Sequence, residues 1–115
     1  MDDLAKASCV PCRGGEPPLG RHEADALLPL VPGWRVVERD GVARLVRELA
    51  FEDFRSAMAF AVKVGALADA EDHHPDLHVS WGRLVVETWT HAVKGLHRND
   101  FILAAKIGRI PERDA

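Results

Sequence analysis

The segment from residue 51 to 72 constrains this chain more than any other. Phe54, Met58, Ala61, Val62 and Gly65 fall on one stripe, and Phe60, Val64 and Leu67 widen it sideways. Apolar residues at this spacing share a helix face, so the segment reads as one long amphipathic helix with a broad apolar face. Its polar face shrinks to residues such as Arg55, Ser56 and Lys63. Such a helix needs a sheet beneath it and leaves apolar surface for a second subunit. Pro75 fixes its end, because proline cannot continue the helix and drives His74 out of helical geometry.

The flanking segments supply the sheet. Residues 34–39 and 42–50 read as strands joined by Asp40-Gly41, a strong hairpin signal. Residues 77–81 and the β-branched run 84–90 read as a second strand pair, with Gly82-Arg83 at the turn. A short helix is predicted over residues 21–30, where Ala24, Leu27, Leu28 and Val31 recur ahead of Pro32-Gly33. A last helix is predicted from His97 to about Ile107, with Asp100 in its first turn, where a carboxylate suits the positive end of the helix dipole. Residues 1–20 read as an irregular arm, broken by Pro11, Gly14, Gly15, Pro17, Pro18 and Gly20. The order is α-β-β-α-β-β-α, two hairpins with helices laid on one face. That is an α+β fold, with a single domain over residues 21–115.

Charge and composition narrow the function. The chain has 15 basic and 18 acidic residues, a net charge of -3, which argues against a general nucleic-acid binder. No apolar run is long enough to span a membrane, and Met1-Asp2-Asp3-Leu4 lacks the basic-then-apolar start of a secretory signal. A cytoplasmic protein with no membrane partner is expected. Cys9 and Cys12 make no disulfide framework. Histidine is the oddity: the chain has six, and His73, His74, His78, His91 and His97 crowd one stretch.

Within that stretch, Glu71-Asp72-His73-His74-Pro75 sits at a helix-to-strand junction stiffened by proline, and Thr90-His91 ends the last strand. An antiparallel hairpin brings the end of its second strand back beside the start of its first, so His91 returns towards His73 and His74. Imidazole titrates near neutrality, so neighbouring rings can act as acid and base at one pH. Asp72 or Asp100 is available to orient one of them. Such a group suits proton shuffling on a small molecule, as in dehydration or tautomerisation. The plainer reading makes these surface or half-buried histidines with ordinary hydrogen bonds. Zinc is the competing chemistry, but Pro75 keeps His74 and His78 off a common helix face, and Cys9-x-x-Cys12 lacks a second pair. The cysteines therefore read as packing residues of the arm. Gly14-Gly15 has no phosphate-loop lysine, and no nucleophile elbow is present. Trp34, Trp81 and Trp89 read as core or interface residues before ligand platforms.

Glu71-Asp72-His73-His74-Pro75, the following Trp81, Thr90-His91, Gly95-Leu96 and Asp100 together resemble the pterin-4a-carbinolamine dehydratase family. The resemblance spans roughly residues 19–110, and the Cys9 to Gly15 arm is similar to that of bacterial members. It implies a four-stranded antiparallel sheet with three helices on one face. It implies dehydration of 4a-hydroxytetrahydropterin to quinonoid dihydropterin, recycling tetrahydropterin for aromatic amino acid hydroxylation, with no metal or organic cofactor. By position it implies His73, His74 and His91 as catalytic residues. Since dehydration needs one proton delivered and one removed, His91 and His73 are expected as the acid/base pair, with His74 mainly positioning the pterin. Asp72, Pro75, Thr90, Ala92, Val93 and Asp100 would contact substrate. A homodimer or homotetramer is implied. Relatives on the same fold also act as non-catalytic assembly or dimer-stabilising proteins, so a protein partner belongs to the alternative reading; the complete histidine set favours catalysis. One departure is His97, where most of the family has Ser or Thr, and histidine is expected to cap the last helix poorly.

Overall fold

Asp40 and Gly41 take positive φ, +52° and +77°, as a type I′ hairpin demands of its two central residues. They join β1 (Arg35–Arg39) to β2 (Val42–Ala50), paired antiparallel with Arg39 opposite Val42. β3 (Asp76–Ser80) and β4 (Arg83–Thr88) form the second hairpin, and β4 pairs with β2, giving the antiparallel order β1-β2-β4-β3. The computed structural model describes residues 4–10 and 17–111. With α1 (Arg21–Leu27), α2 (Phe54–Glu71) and α3 (Arg98–Ile107), the element order is the expected α-β-β-α-β-β-α. Single-turn 3-10 helices at Leu4–Lys6, Leu28–Leu30 and His91–Val93 decorate it.

The period-two alternation of strands separates the two faces of the sheet. Leu45, Leu49, Leu84 and Val86 point into the core, and Thr88 lies opposite Leu45 on that same side. Arg39, His78, Arg83, Val85 and Glu87 occupy the other face. α2 packs on β3 and β4, and α3 packs on α2. Phe101, Leu103 and Ile107 of α3 are fully buried, and Leu4 joins them in the core.

Several boundaries differ from the sequence reading. α2 starts at Phe54 rather than residue 51, because the Asp53 carboxylate accepts the Ser56 N–H at 2.7 Å and caps the helix there. The sheet takes Ala57, Phe60, Ala61, Val64 and Ala68, whereas Phe54, Met58 and Val62 of the expected core stripe stay exposed. Both stripes are apolar, and the helix buries small Ala57 and Ala61 together with the large Phe60. α1 gives way at Leu28 to a 3-10 turn containing Pro29. The β3–β4 turn is Trp81-Gly82, one position earlier than expected. Trp81 is 74% exposed there, which removes it from the core of this chain, while Trp34 is buried just ahead of β1. β4 ends at Thr88, so Trp89 and Thr90 lie beyond the strand. Among the described residues, no helix is long and apolar enough to cross a membrane.

Candidate active site

α2 ends in a left-handed residue. Asp72 takes φ 52° and ψ 40°, and its N–H and that of His73 return to carbonyls of the last helical turn. This reversal turns the His73 side chain inward, where it is only 11% exposed, and Pro75 then leads the chain into β3.

What His73 meets is Asp100. This residue lies in the first turn of α3 and is completely buried. Its Oδ1 accepts from His73 Nε2 at 2.7 Å and from Thr88 Oγ1 at 2.7 Å. Its Oδ2 accepts from Thr90 Oγ1 at 2.8 Å and from the His97 N–H at 3.0 Å. Each oxygen thus receives two donors, which is the full capacity of a carboxylate and what a buried charge needs. A carboxylate can only accept, so the shared proton belongs to His73 Nε2. In the neutral ring, Nδ1 is then the free acceptor.

The β4–α3 loop brings the remaining partners. Thr90 and Gly95 form a two-way bridge, Thr90 N to Gly95 O at 2.8 Å and Gly95 N to Thr90 O at 3.4 Å, closing a loop around the His91–Val93 turn. Leu19 N donates to Leu96 O at 2.8 Å behind it, and a Cβ on Gly95 would stand 2.7 Å from Pro18 Cβ, so only glycine fits. His97 corrects the sequence reading. It caps α3 well, its Nδ1 accepting the Asn99 N–H at 3.0 Å while Asp100 accepts the His97 N–H, a reciprocal capping box.

The other predicted residues are placed as follows. His74 is exposed, its Nε2 3.0 Å from Asp69 Oδ1 one turn back on α2. His91 is exposed, its ring stacked on Trp89 with centroids 3.8 Å apart, and the Arg44 guanidinium lies 4.7 Å from the Trp89 ring centre. Asp72 and Ala92 are exposed, Pro75 is half-buried, and Thr90 and Val93 are buried. One carboxylate therefore unites His73 with Thr90, and His91 follows Thr90 in the chain. The rings of His74 and His91 make their contacts with Asp69 and Trp89 instead. A cavity of about 310 Å³ lined by Arg39, His78, Ser80, Arg83, Val85 and Glu87 lies on the opposite sheet face and includes none of the three predicted catalytic histidines.

Among the described residues, no three His, Cys, Asp or Glu side chains converge as ligands. Burial, and then the Glu71 carboxylate, push the Cys9 thiol up to about 12, so it rests as the neutral thiol. Cys12 lies outside the described residues.

The family model described as Pterin 4 alpha carbinolamine dehydratase matches residues 17–110. The chain belongs to this family. A relative from Chlorobium luteolum named "Putative pterin-4-alpha-carbinolamine dehydratase" is 55% identical over 106 residues, 92% of this chain and 93% of its own. A similarly named protein from Gloeobacter violaceus is 48% identical over 108 residues, 94% of this chain and 93% of its own. The crystal structure of a transcriptional coactivator/pterin dehydratase from Brucella melitensis matches with a TM-score of 0.72 and 30% identity, covering 79% of this chain and 95% of that one.

In this dehydratase-family chain, sequence reasoning passed over Thr88 and Asp69, and it read Trp89 as a core or interface residue without its contact to His91. Thr88 carried a readable signal: it is the polar member of the core-facing series Leu84, Val86, Thr88, and a hydroxyl at such a position needs a buried partner. Asp69 carried none beyond proximity in sequence.

Proposed function

We propose that this chain dehydrates a 4a-hydroxytetrahydropterin to the quinonoid dihydropterin by histidine acid/base catalysis, recycling tetrahydropterin for aromatic amino acid hydroxylation. Membership of the dehydratase family supports the reaction class. The observation that carries the mechanism is the buried Asp100 held 2.7 Å from His73 Nε2. The same carboxylate caps α3, and its bond to His73 fixes the tautomer of a ring that acid/base chemistry can use.

The chemistry follows from that tautomer. The C4a–O bond breaks as the hydroxyl takes a proton and leaves as water, and a pterin N–H gives up its proton so that its electron pair forms the new C=N bond. Neutral His73, with Nε2–H committed to Asp100, offers Nδ1 as an acceptor; charged, it offers Nδ1–H as a donor. His91 supplies the opposite partner and His74 positions the ring system, with Asp72, Pro75, Ala92 and Val93 contributing the rim. No metal or organic cofactor enters this mechanism. The exposed Phe54, Met58 and Val62 on α2 support assembly into a homodimer or homotetramer.

The test is the dehydration rate of 4a-hydroxytetrahydropterin, followed by ultraviolet absorbance, for the wild type and for His73→Ala, His74→Ala and His91→Ala. Acid/base catalysis contributes about 100- to 10,000-fold, so His73→Ala and His91→Ala lose at least about 100-fold in kcat, and His74→Ala mainly raises KM. Near-normal turnover in all three variants removes the site.

A further inference from the structure

His73 follows the end of α2 and Asp100 lies in the first turn of α3, so no single helix sets their separation. Besides the packing of α3 on α2 and the approach of Lys106 Nζ to Glu71 Oε2 at 3.8 Å, the N-terminal arm crosses both ends. Leu4 is sunk in the core beside α3, and Lys106 Nζ donates to Ala5 O at 2.9 Å. The arm then runs over both ends that carry the pair. Cys9 N donates to Glu71 Oε1 at 2.9 Å, and Glu71 precedes His73 by one residue, Asp72. Val10 N donates to Asn99 Oδ1 at 3.0 Å, and Asn99 Nδ2 returns a bond to Val10 O at 2.6 Å; Asn99 is the neighbour of Asp100. Cys9 Sγ adds a contact to Asn99 O at 3.6 Å.

We infer that residues 4–10 position the His73–Asp100 pair by tying the last residue of α2 to the first turn of α3, with Glu71 and Asn99 as the positioning residues. Two adjacent residues of one extended segment hold one side chain from each helix, so the two helix ends cannot slide apart without breaking Glu71–Cys9 or the two-way Asn99–Val10 contact. Asn99 is buried, so losing that contact leaves its amide without water as a substitute. The Cys9 thiol, held neutral beside Glu71, acts here as a packed group of the brace rather than a nucleophile.

This inference rests on the pterin reading only where turnover is measured. Misplacement of a catalytic group by about 1 Å costs on the order of 100-fold, so a loosened brace lowers kcat by about tenfold and leaves KM nearly unchanged in Asn99→Ala and in Glu71→Ala. Because both act through one strap, the double variant falls little further than either single one, and Glu71→Gln, which still accepts from Cys9 N, restores the rate. A second readout needs no substrate: the ring nitrogen NMR shifts of His73 move from the Nε2–H tautomer towards a mixture in the two alanine variants and on removal of residues 1–10. Unchanged His73 shifts in folded Asn99→Ala, or strictly additive losses in the double variant, overturn the inference. If the truncated chain unfolds, the two alanine variants decide. If the wild type fails to dehydrate the pterin, the function proposed above fails, and the His73 shifts still decide the brace.

Discussion

Asp100→Asn separates the charge of this residue from its volume, and the structure dictates how the new amide sits. If its NH₂ replaced Oδ2, it would face the His97 backbone N–H, a donor that cannot invert. The amide therefore keeps its oxygen towards His97 and Thr90 and turns its NH₂ towards Thr88 and His73. The Thr88 hydroxyl can rotate to accept. His73 can accept only by moving its proton from Nε2 to Nδ1, which removes the Nδ1 acceptor from the neutral ring. The contact then survives as a neutral hydrogen bond, about 0.5–1.5 kcal/mol, in place of one to a charged group, about 1.5–3 kcal/mol, so the exchange costs about 1 kcal/mol of stability. In a domain of this size that lowers Tm by about 5 °C. The catalytic loss is larger. With the wrong tautomer the acid/base contribution disappears, and kcat falls by about 100-fold or more. The assay is pterin dehydration at 25 °C, well below the variant's Tm, with folding checked by circular dichroism and the tautomer read from ring nitrogen NMR. A folded variant that keeps kcat within about threefold of wild type refutes the argument that Asp100 sets the working state of His73.

Two further outcomes follow from the titrating groups. With its pKa raised from 9.0 to about 12, Cys9 at pH 8 carries about 1,000-fold less thiolate than an ordinary thiol; in a Cys12→Ser background it reacts with a disulfide reagent far more slowly than a free thiol, and fast reaction in the native state contradicts its burial. Hydrogen bonds from the Ser56 hydroxyl and N–H hold Asp53 below its unfolded value, so the cap stabilises above that value and its contribution is lost as pH falls through the lower folded one. Asp53→Ala therefore lowers Tm at neutral pH, and the gap narrows below about pH 4; an undiminished gap at pH 3 contradicts the capping role.

How much of this could be read from the sequence depends on how many elements had to meet. Features set by one or two neighbouring segments were legible. Asp40-Gly41 needed only its own φ angles, the long helix only its period, and the exit before Pro75 only the missing proline amide. Which stripe of α2 faces the sheet was not legible, because Phe54-Met58-Val62 and Phe60-Val64 are equally apolar and packing makes the choice. His97 was misread for a related reason. Capping preferences average over helices, whereas here Asp100 at the third helical position completes the box and holds the ring in place to accept.

The site shows the same division more sharply. His73 was recognisable from its junction, but its inward turn depends on a carboxylate arriving from α3, and that carboxylate is tolerated only because β4 supplies Thr88, the loop supplies Thr90, and the helix start supplies the His97 N–H. Remove any one donor and a buried oxygen is left short, which makes every partner costly to lose. The Thr88-x-Thr90 spacing and Asp100 are therefore one feature written in two places. Thr88 lies at a core parity that should have been apolar, and Asp100 in a helix turn that should have been solvated. Each is an anomaly alone, and the two resolve each other only when paired. The arm's grip on Glu71 and Asn99 had no such local anomaly to announce it. An extended segment offers the same backbone groups wherever it runs, so its docking is decided by the surface it finds rather than by its own residues.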